Sequence, residues 1–484
     1  MRPHWGVLVP ALLSGALALA EPVPNAKRIY IAPDDHTDYL WSGDEEAYRQ
    51  AFVEMIDYYL DLADATEDHR PEHQSRWSCD GSLWMWTYER NKTPEGFERL
   101  LSRIRDGHMS VPLNALVSTY GAQPTEAVLR GMYYPGRIER RHGVRFPIAI
   151  AMEDQTLPYG LGALWAGSGA RYSWKGICGC ATRIRKNERR PQAVELVDSD
   201  PEFRSLYPYP VIGVFGKGWD DLKTLTDEFV TVARAKTDAS RKVIVSDQLD
   251  FFRDFESSHG ADLPTMSVGF GNEWDLYSAS MSEVSARVRR AVERLRAAEG
   301  LATLVARERP GFWSSREQAR EQAWMNLGVY WEHNWTSDSP VISREARAVW
   351  QRRLAGQIAG YVDTLHDDAV YALEHQNPLV AGRVRGGDAY PGETFSLLSI
   401  DNPDVLLWSV KPAEEGIEQG IVTRVWNLAP HEQRFSLSLT PAMESATQTT
   451  HIETDRAAVP VSQWVLSATA ARSQLLTYRL RPAH

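Results

Sequence analysis

Two residues near the start of the chain, His36 and Asp38, carry side chains of the types that bind metal ions in proteins. They follow an apolar segment, Ile29 to Ala32, that we expect to be a buried strand. In an extended segment, residues i and i+2 point to the same side, so this imidazole and this carboxylate project together. Imidazole nitrogen and carboxylate oxygen are both zinc ligands. The spacing therefore predicts half of a four-ligand metal site.

Three further acids and one histidine are candidates for the same site. Asp154 follows the buried strand predicted over 144–152, and Asp220 and Asp221 follow the strand predicted over 210–215. His333 lies in an aromatic-rich break between two predicted helices. Polar residues just past strand ends line the active sites of α/β folds. His36, Asp38, Asp154 and His333 would make a His2Asp2 zinc set, whereas Asp220 and Asp221 have a structural alternative as the N-cap of a helix.

The order of predicted elements indicates three parts that would position these residues. Strands and helices alternate from residue 28 to about 270, and the aromatic segment Leu83 to Tyr88 is expected to be a strand. This alternation favours βα units on a parallel sheet or barrel. Amphipathic helices follow to about 375, and short alternating strands follow to the end. We expect a multidomain α/β + α + β chain. It has a seven-stranded βα barrel-like catalytic domain over 21–275, a helical bundle over 276–378 and a β-sandwich over 379–484.

Composition excludes some partners and favours others. The chain has 484 residues, 43% of them apolar and 24% charged, and a net charge of −11. An acidic chain with scattered basic residues does not suit nucleic acid or an anionic membrane. The 17 Trp residues suit a carbohydrate partner because sugar faces stack on aromatic rings, although core packing explains most Trp residues in proteins.

The first 20 residues are typical of a secretion signal. A short basic region precedes an apolar run over 6–20 that ends in Ala18-Leu-Ala20, an A-x-A cleavage signature. We expect cleavage after Ala20 and a secreted or periplasmic product, with a retained membrane anchor as the alternative. An oxidising compartment would allow one disulfide, between Cys79 and either Cys178 or Cys180.

The motifs in this order resemble glycoside hydrolase family 38, the retaining α-mannosidases. His36-Thr-Asp38-Tyr-Leu-Trp41 is similar to the H-x-D-x-x-W motif of that family, and Gly218-Trp-Asp220-Asp221 to its Gly-Asp-Asp element. Glu332-His333-Asn334 is similar to its His-His-Asp element. The family usually has a Pro directly after its nucleophilic Asp or one residue later, whereas here three residues separate Asp154 from the next Pro. Because this difference could displace the nucleophile, Glu153 is a second candidate.

The resemblance implies a role for each candidate residue. Asp154 would be both zinc ligand and nucleophile, and Asp221 the general acid and base, with Asp220 raising its pKa. One Zn2+ per chain would be held by the His2Asp2 set and would bind sugar hydroxyls. The substrate would be an oligosaccharide or other glycoside, and the residues contacting it are predicted to be Trp41, Asn334, Glu273 and Trp274. For Glu273 and Trp274, plain packing is the alternative.

Three functions compete at this point. The first is a secreted, zinc-dependent retaining glycoside hydrolase that cleaves α-linked sugars. The second is a carbohydrate-binding relative with little or no activity. The third is another metal hydrolase, such as a polysaccharide deacetylase, although such enzymes usually carry an H-x-x-x-H pair that is not found after a strand here.

Overall fold

The computed structural model describes residues 27–151, 157–175, 194–216, 222–269, 271, 273–375, 396–440 and 442–483. The predicted signal peptide, Cys178 and Cys180 lie outside these residues. Cys79 is a buried free thiol, so the predicted disulfide of Cys79 is wrong. No helix in the described ranges is both long and apolar enough to cross a bilayer.

The N-terminal part mixes short parallel strands with helices. Its strands are β1 (Lys27–Ala32), β2 (Trp77–Ser78), β3 (Met109–Ser110), β4 (Ile148–Ala151), β5 (Tyr172–Lys175), β6 (Val211–Phe215) and β7 (Arg241–Val245). Its helices are α1 (Glu45–Ala65), α2 (Ser82–Asn91), α3 (Pro94–Arg105), α4 (Thr125–Arg130), α5 (Tyr133–His142), α6 (Leu161–Ser168), α7 (Val194–Ser199), α8 (Pro201–Leu206), α9 (Glu228–Lys236) and α10 (Leu249–His259).

Strand β1 lies at the centre of a parallel sheet with the order β6-β1-β7. Ile29 pairs with Ile212 on one side and with Val243 on the other. Ile29 and Ile31 are fully buried, and Tyr30 is nearly so. A strand with both faces covered must be apolar along its whole length, as this one is. The sheet therefore holds the carboxyl end of β1 rigidly, just before His36.

The other four strands pair separately, β2 with β3 and β4 with β5, both in parallel. One isolated bridge joins Asp34, beyond β1, to Ser78 of β2. Among the described residues the seven strands form three sheets, so their pairings do not close the expected seven-stranded barrel. The segment Leu83 to Tyr88, which we expected to be a strand, belongs to helix α2.

The middle of the chain is helical, with α11 (Ser282–Glu308), α12 (Gly311–Ser314), α13 (Glu317–Tyr330) and α14 (Arg344–His375). Helix α11 packs along α14, and α13 packs on α14 and on α4. The turn between α13 and α14 contains His333. The bundle therefore presents this imidazole toward the N-terminal part.

The C-terminal part consists of antiparallel strands. They are β8 (Leu398–Ile400), β9 (Val405–Pro412), β10 (Ile421–Asn427), β11 (Gln433–Leu439), β12 (Met443–Thr449), β13 (Asp455–Val459), β14 (Val461–Ser462), β15 (Val465–Ala470) and β16 (Leu475–Pro482). They form two sheets, with the orders β13-β12-β16-β10-β9 and β14-β15-β11-β8. Val425, Leu437 and Leu466 are fully buried in the core that these strands share. This arrangement confirms the predicted sandwich.

A network of ion pairs, which we call the interface charge cluster, joins the three parts. Arg424 of β10 and Arg130 of α4 both bind the Glu126 carboxylate, at 2.8 and 3.0 Å. Arg130 also binds Glu299 of α11 at 2.8 Å. Pairs no longer than 3.9 Å connect eight residues: Glu126, Arg130, Glu299, Arg320, Lys411, Glu414, Arg424 and Glu453. Four acids and four bases thus balance one another.

Candidate metal centre

Three predicted ligands come together although they are far apart in the chain. Donor atoms of His36, Asp38 and His333 all lie within 4.8 Å of one another, and all three residues are buried. We call them the His–Asp cluster. Nε2 of His333 lies 2.9 Å from Oδ1 of Asp38, and Nε2 of His36 lies 3.5 Å from the same oxygen. The Asp38 carboxylate therefore stands between the Nε2 atoms of two imidazoles.

The loop after β1 is held by residues that follow β2. The Thr37 amide donates to Oδ2 of Asp80 at 2.8 Å, and Nε1 of Trp84 donates to Oγ1 of Thr37 at 2.9 Å. Both Asp80 and Trp84 are fully buried. These bonds fix the backbone and side chain of Thr37, which lies between His36 and Asp38 in the loop.

A tight turn follows Asp38. The carbonyl of Asp38 accepts hydrogen bonds from the Trp41 amide, at 2.9 Å, and from the Tyr48 hydroxyl. Leu40 within the turn has φ of 62°, a left-handed conformation that is unfavourable for a branched residue. Such strain persists only where surrounding contacts enforce it, and it is often found at functional sites.

The third predicted ligand, His333, is positioned by backbone pairing between the helical bundle and the N-terminal part. The His333 amide donates to the carbonyl of Val117 at 3.2 Å, and the Thr119 amide donates to the carbonyl of Trp331 at 2.9 Å. A bridge between Ser118 and Glu332 lies between these two bonds. The turn after α13 is therefore fixed to segment 117–119 by its backbone, which positions the His333 ring.

Two buried acids that the sequence analysis missed lie behind the imidazoles. Oε1 of Glu332 lies 2.8 Å from Nδ1 of His333, and Oδ2 of Asp80 lies 3.7 Å from Nδ1 of His36. Arg347 of α14 pairs with the other oxygen of Glu332. Glu332 could have been suspected from its place beside His333. Asp80 could have been suspected because it closely follows a strand end, as His36 does.

Burial and neighbouring carboxylates shift the pKa values of Asp80 and His333. Burial raises the pKa of Asp80 to about 6, although His36 opposes the shift. Burial lowers the pKa of His333, but Glu332 and Asp38 outweigh burial and hold that pKa well above its usual range. The surroundings therefore favour a positive charge at the His–Asp cluster.

The donor set fits a divalent cation. Ligands bound at about 2.0–2.1 Å to a tetrahedral zinc ion stand about 3.3 Å from one another. The separations of 2.9 and 3.5 Å between the two Nε2 atoms and Oδ1 of Asp38 are close to this value. Two imidazole nitrogens and one carboxylate oxygen are a ligand set found in catalytic zinc sites. The His–Asp cluster could therefore hold a metal ion.

Of the other predicted site residues, some lie at or near the His–Asp cluster and others lie outside the described residues. Asn334 lies at the cluster, where its Nδ2 donates to Oδ1 of Asp38 at 3.1 Å. Trp41 is half-buried in the turn after Asp38. Glu273 and Trp274 lie in a 3-10 helix over Glu273–Met281, and their side chains are not described. Asp154, Asp220 and Asp221 lie outside the described residues, as does Glu153.

Comparison with known proteins gives similarity of structure alone. Neither a family model nor a curated protein matches the sequence. An α-mannosidase from Enterococcus faecalis V583 matches with a TM-score of 0.57 and 12% identity, over 95% of this chain and 56% of that one. A glycosyl hydrolase family 38 protein from Enterococcus faecalis matches with a TM-score of 0.50 and 12% identity, over 96% and 55%.

This chain thus spans little more than half the length of those two proteins. At such low identity the matches establish the fold and nothing finer. The agreement nevertheless extends over nearly the whole of this chain, including its helical and C-terminal parts. The resemblance seen in the sequence motifs is therefore confirmed at the level of structure: the chain has the fold of these two proteins, one of them a member of glycoside hydrolase family 38.

Proposed function

We propose that this protein is a metal-dependent glycoside hydrolase that cleaves α-linked sugars, similar to the α-mannosidases. The observation that carries the proposal is the buried His–Asp cluster at the end of β1, in a chain with the family 38 fold. Buried polar groups at strand ends are costly unless they are paired or bind a ligand. We also propose that the enzyme acts outside the cytoplasm, as the apolar segment 6–20 indicates.

The cation would be Zn2+, held by His36, Asp38 and His333, with Asp154 proposed as the fourth ligand. When bound, such an ion would supply a Lewis acid that binds sugar hydroxyls and orients the substrate. Asn334 contributes by donating to Asp38, which holds that carboxylate in place. Trp41, Glu273 and Trp274 remain proposed substrate contacts.

Two carboxylic acids would carry the reaction with retention of configuration. The Asp154 carboxylate would attack the anomeric carbon while Asp221 donates a proton to the departing glycosidic oxygen. Asp221 would then remove a proton from water, which attacks the anomeric carbon and releases Asp154. Asp220 would assist by raising the pKa of Asp221 through like-charge repulsion. Such retaining pairs stand about 5–5.5 Å apart across the sugar.

The test combines metal analysis with hydrolysis of aryl α-glycosides. We expect about one zinc per chain, hydrolysis of at least one α-glycoside, and a first product with the anomeric configuration of the substrate by NMR. Asp154→Ala should lose activity, while Asp61→Ala should keep it, since Asp61 is a surface residue whose ion pair among the described residues is with Arg99. A metal-free protein without activity on any α-glycoside would overturn the proposal. Metal and sugar binding without hydrolysis would instead support a non-catalytic carbohydrate-binding protein.

A further inference from the structure

We propose that Asp80 and Glu332 are positioning residues that face the Nδ1 atoms of His36 and His333, so that both imidazoles bind the cation through Nε2. The inference rests on the metal site of the proposed function and assigns a role to two acids outside the ligand set. It also predicts which nitrogen of each ring is a ligand.

The contacts of His333 define the two sides of its ring. Nε2 lies 2.9 Å from Oδ1 of Asp38, and Nδ1 lies 2.8 Å from Oε1 of Glu332. Glu332 is itself fixed, because its Oε2 accepts hydrogen bonds from the guanidinium of Arg347 and, at 3.2 Å, from the backbone N–H of Asn334. Glu332, His333 and Arg347 are fully buried. The ring therefore cannot turn over without leaving a buried carboxylate without its partner.

His36 has the same arrangement with a longer contact. Its Nε2 faces Oδ1 of Asp38 at 3.5 Å, and its Nδ1 faces Oδ2 of Asp80 at 3.7 Å. Asp80 is held by the Thr37 amide through Oδ2. Its other oxygen is buried and accepts no hydrogen bond from the residues that the structure describes. A small rotation of either side chain would bring Nδ1–H of His36 within hydrogen-bond distance of this carboxylate.

The two histidines therefore share a pattern in which Nε2 points inward and an acid lies behind Nδ1. A metal-binding imidazole usually donates its other N–H to a carboxylate or carbonyl, which fixes the tautomer and makes the ligating nitrogen more basic. Asp80 and Glu332 come from different parts of the chain, one after β2 and one after α13. Their equivalent placement behind two separate rings is thus a property of the site and not of one local motif.

Charge supports the same assignment. Among the described residues, the cluster and its two flanking acids contain three carboxylates, those of Asp38, Asp80 and Glu332. They are accompanied by one guanidinium, that of Arg347. Histidine binds metals as the neutral imidazole. With both imidazoles neutral, these named side chains have a formal charge sum of −2, which matches the charge of a divalent cation.

A metal-free reading of the contacts is the competing explanation. His333 could be an imidazolium that bridges Glu332 and Asp38, as a purely structural ion pair. In that case the acids behind the rings would affect folding but not the affinity for zinc. Measurement of metal affinity therefore separates the two readings, independently of enzymatic activity.

The experiment measures zinc affinity by chelator competition for the wild type, Asp80→Asn and Glu332→Gln. We expect each variant to bind zinc about 10–100-fold more weakly, the range found for outer-shell partners of metal ligands. Asp80→Glu should recover part of the affinity, because it restores a carboxylate. Glu299→Gln is the matched control, since Glu299 is also a fully buried acid paired with a buried arginine, Arg130, and it should bind zinc as the wild type does.

A spectroscopic readout accompanies the affinities. In 15N-histidine NMR of the zinc-loaded wild type, we expect coordination at Nε2 and a proton at Nδ1 for both histidines. Wild-type affinity in folded Asp80→Asn, or coordination through Nδ1, would overturn the inference while leaving the proposed function intact. If Glu332→Gln fails to fold because Arg347 loses its partner, Asp80→Asn and the NMR spectrum still decide. A wild type that binds no zinc would overturn the metal site of the proposed function as well.

Discussion

Two buried charged clusters lie within this molecule, and they differ in charge balance. The interface charge cluster contains four acids and four bases connected by ion pairs. The His–Asp cluster with its flanking acids contains three carboxylates and one guanidinium among the described residues. Both groups occupy regions where an uncompensated charge would be costly. Among the described residues, the first has equal numbers of acidic and basic side chains, whereas the second has two more carboxylates than guanidinium groups.

This difference helps to distinguish buried polar side chains that stabilise the fold from buried polar side chains that serve a function. In the interface charge cluster, Glu126 meets two arginines and the indole of Trp408 at 2.7 Å, so each of its lone pairs is used within the protein. In the His–Asp cluster, two imidazoles and a carboxylate point toward one another. A fold that needed only stability would gain more from apolar residues at that place. We therefore expect the two clusters to respond differently to substitution, metal and pH.

The largest effect is expected when the balanced cluster is broken. Although burial opposes ionisation, Arg424 and Arg130 lower the pKa of Glu126 to about 2. Glu126→Gln removes the ion pair that the described residues give to buried Arg424, and one of the partners of Arg130. We expect it to cost about 3–5 kcal/mol of stability. Urea or thermal unfolding measures this loss, and zinc affinity should not change.

Glu299→Gln is the sharp control for that substitution. Burial raises the pKa of Glu299 to about 7, although Arg130 opposes the shift, so this carboxyl is only partly ionised at neutral pH and its replacement removes less charge than that of Glu126. We expect a much smaller loss than for Glu126→Gln. Equal losses from the two variants would show that charge balance is not what stabilises this interface.

Metal removal is expected to have the next largest effect, and only through the His–Asp cluster. A ligand present at about 100 times its Kd stabilises the folded state by about 2.7 kcal/mol. Removal of zinc with a chelator should therefore lower the unfolding temperature of the wild type. Asp38→Asn should abolish this dependence, because the carboxylate lies within reach of both Nε2 atoms.

Glu126→Gln supplies the comparison for metal removal. It should keep the full zinc-dependent shift although its starting stability is lower. If zinc stabilised Asp38→Asn as much as the wild type, the ion would bind elsewhere and the assignment of the His–Asp cluster would be wrong.

The smallest effect is expected from one histidine near the balanced cluster. Burial, together with the charges of Arg424 and Arg456, lowers the pKa of His451 to about 3, while Glu126 opposes the shift. Because the unfolded chain binds this proton near pH 6.5 and the folded chain does not, stability falls as pH decreases below 6.5. This histidine should contribute a loss of about 1.4 kcal/mol between about pH 7.5 and 5.5.

His451→Gln should reduce that part of the pH dependence. Unfolding measured at several pH values compares the two slopes, and all other titrating groups are common to both proteins. Equal slopes would mean that the imidazole is not kept neutral by the fold. The replacement removes the 2.8 Å contact between Nδ1 and the Thr477 hydroxyl, so the slope and not the absolute stability is the informative quantity.

Sequence patterns predicted much of the architecture because hydrophobic periodicity is a local property. The apolar runs that we expected to be β1, β4 and β6 are strands, and the C-terminal part consists of strands, as predicted. The aromatic segment Leu83 to Tyr88 misled us, because aromatic residues favour strands. Trp84 and Tyr88 lie one helical turn apart and are both buried, and Trp84 stacks on Phe52 of α1 at 4.0 Å. Tertiary packing decided in favour of the helix.

By itself the sequence determined that His36 and Asp38 share one side of the chain, because residues i and i+2 of an extended segment project to the same side. It also indicated His333 as a ligand through its resemblance to a family motif. Only the tertiary structure decided that His333 meets Asp38 across 295 residues of chain, and that Asp80 and Glu332 lie behind the two imidazoles. The physical reason is that these contacts depend on backbone pairing between segment 117–119 and the turn after α13. No periodicity within either segment encodes that pairing.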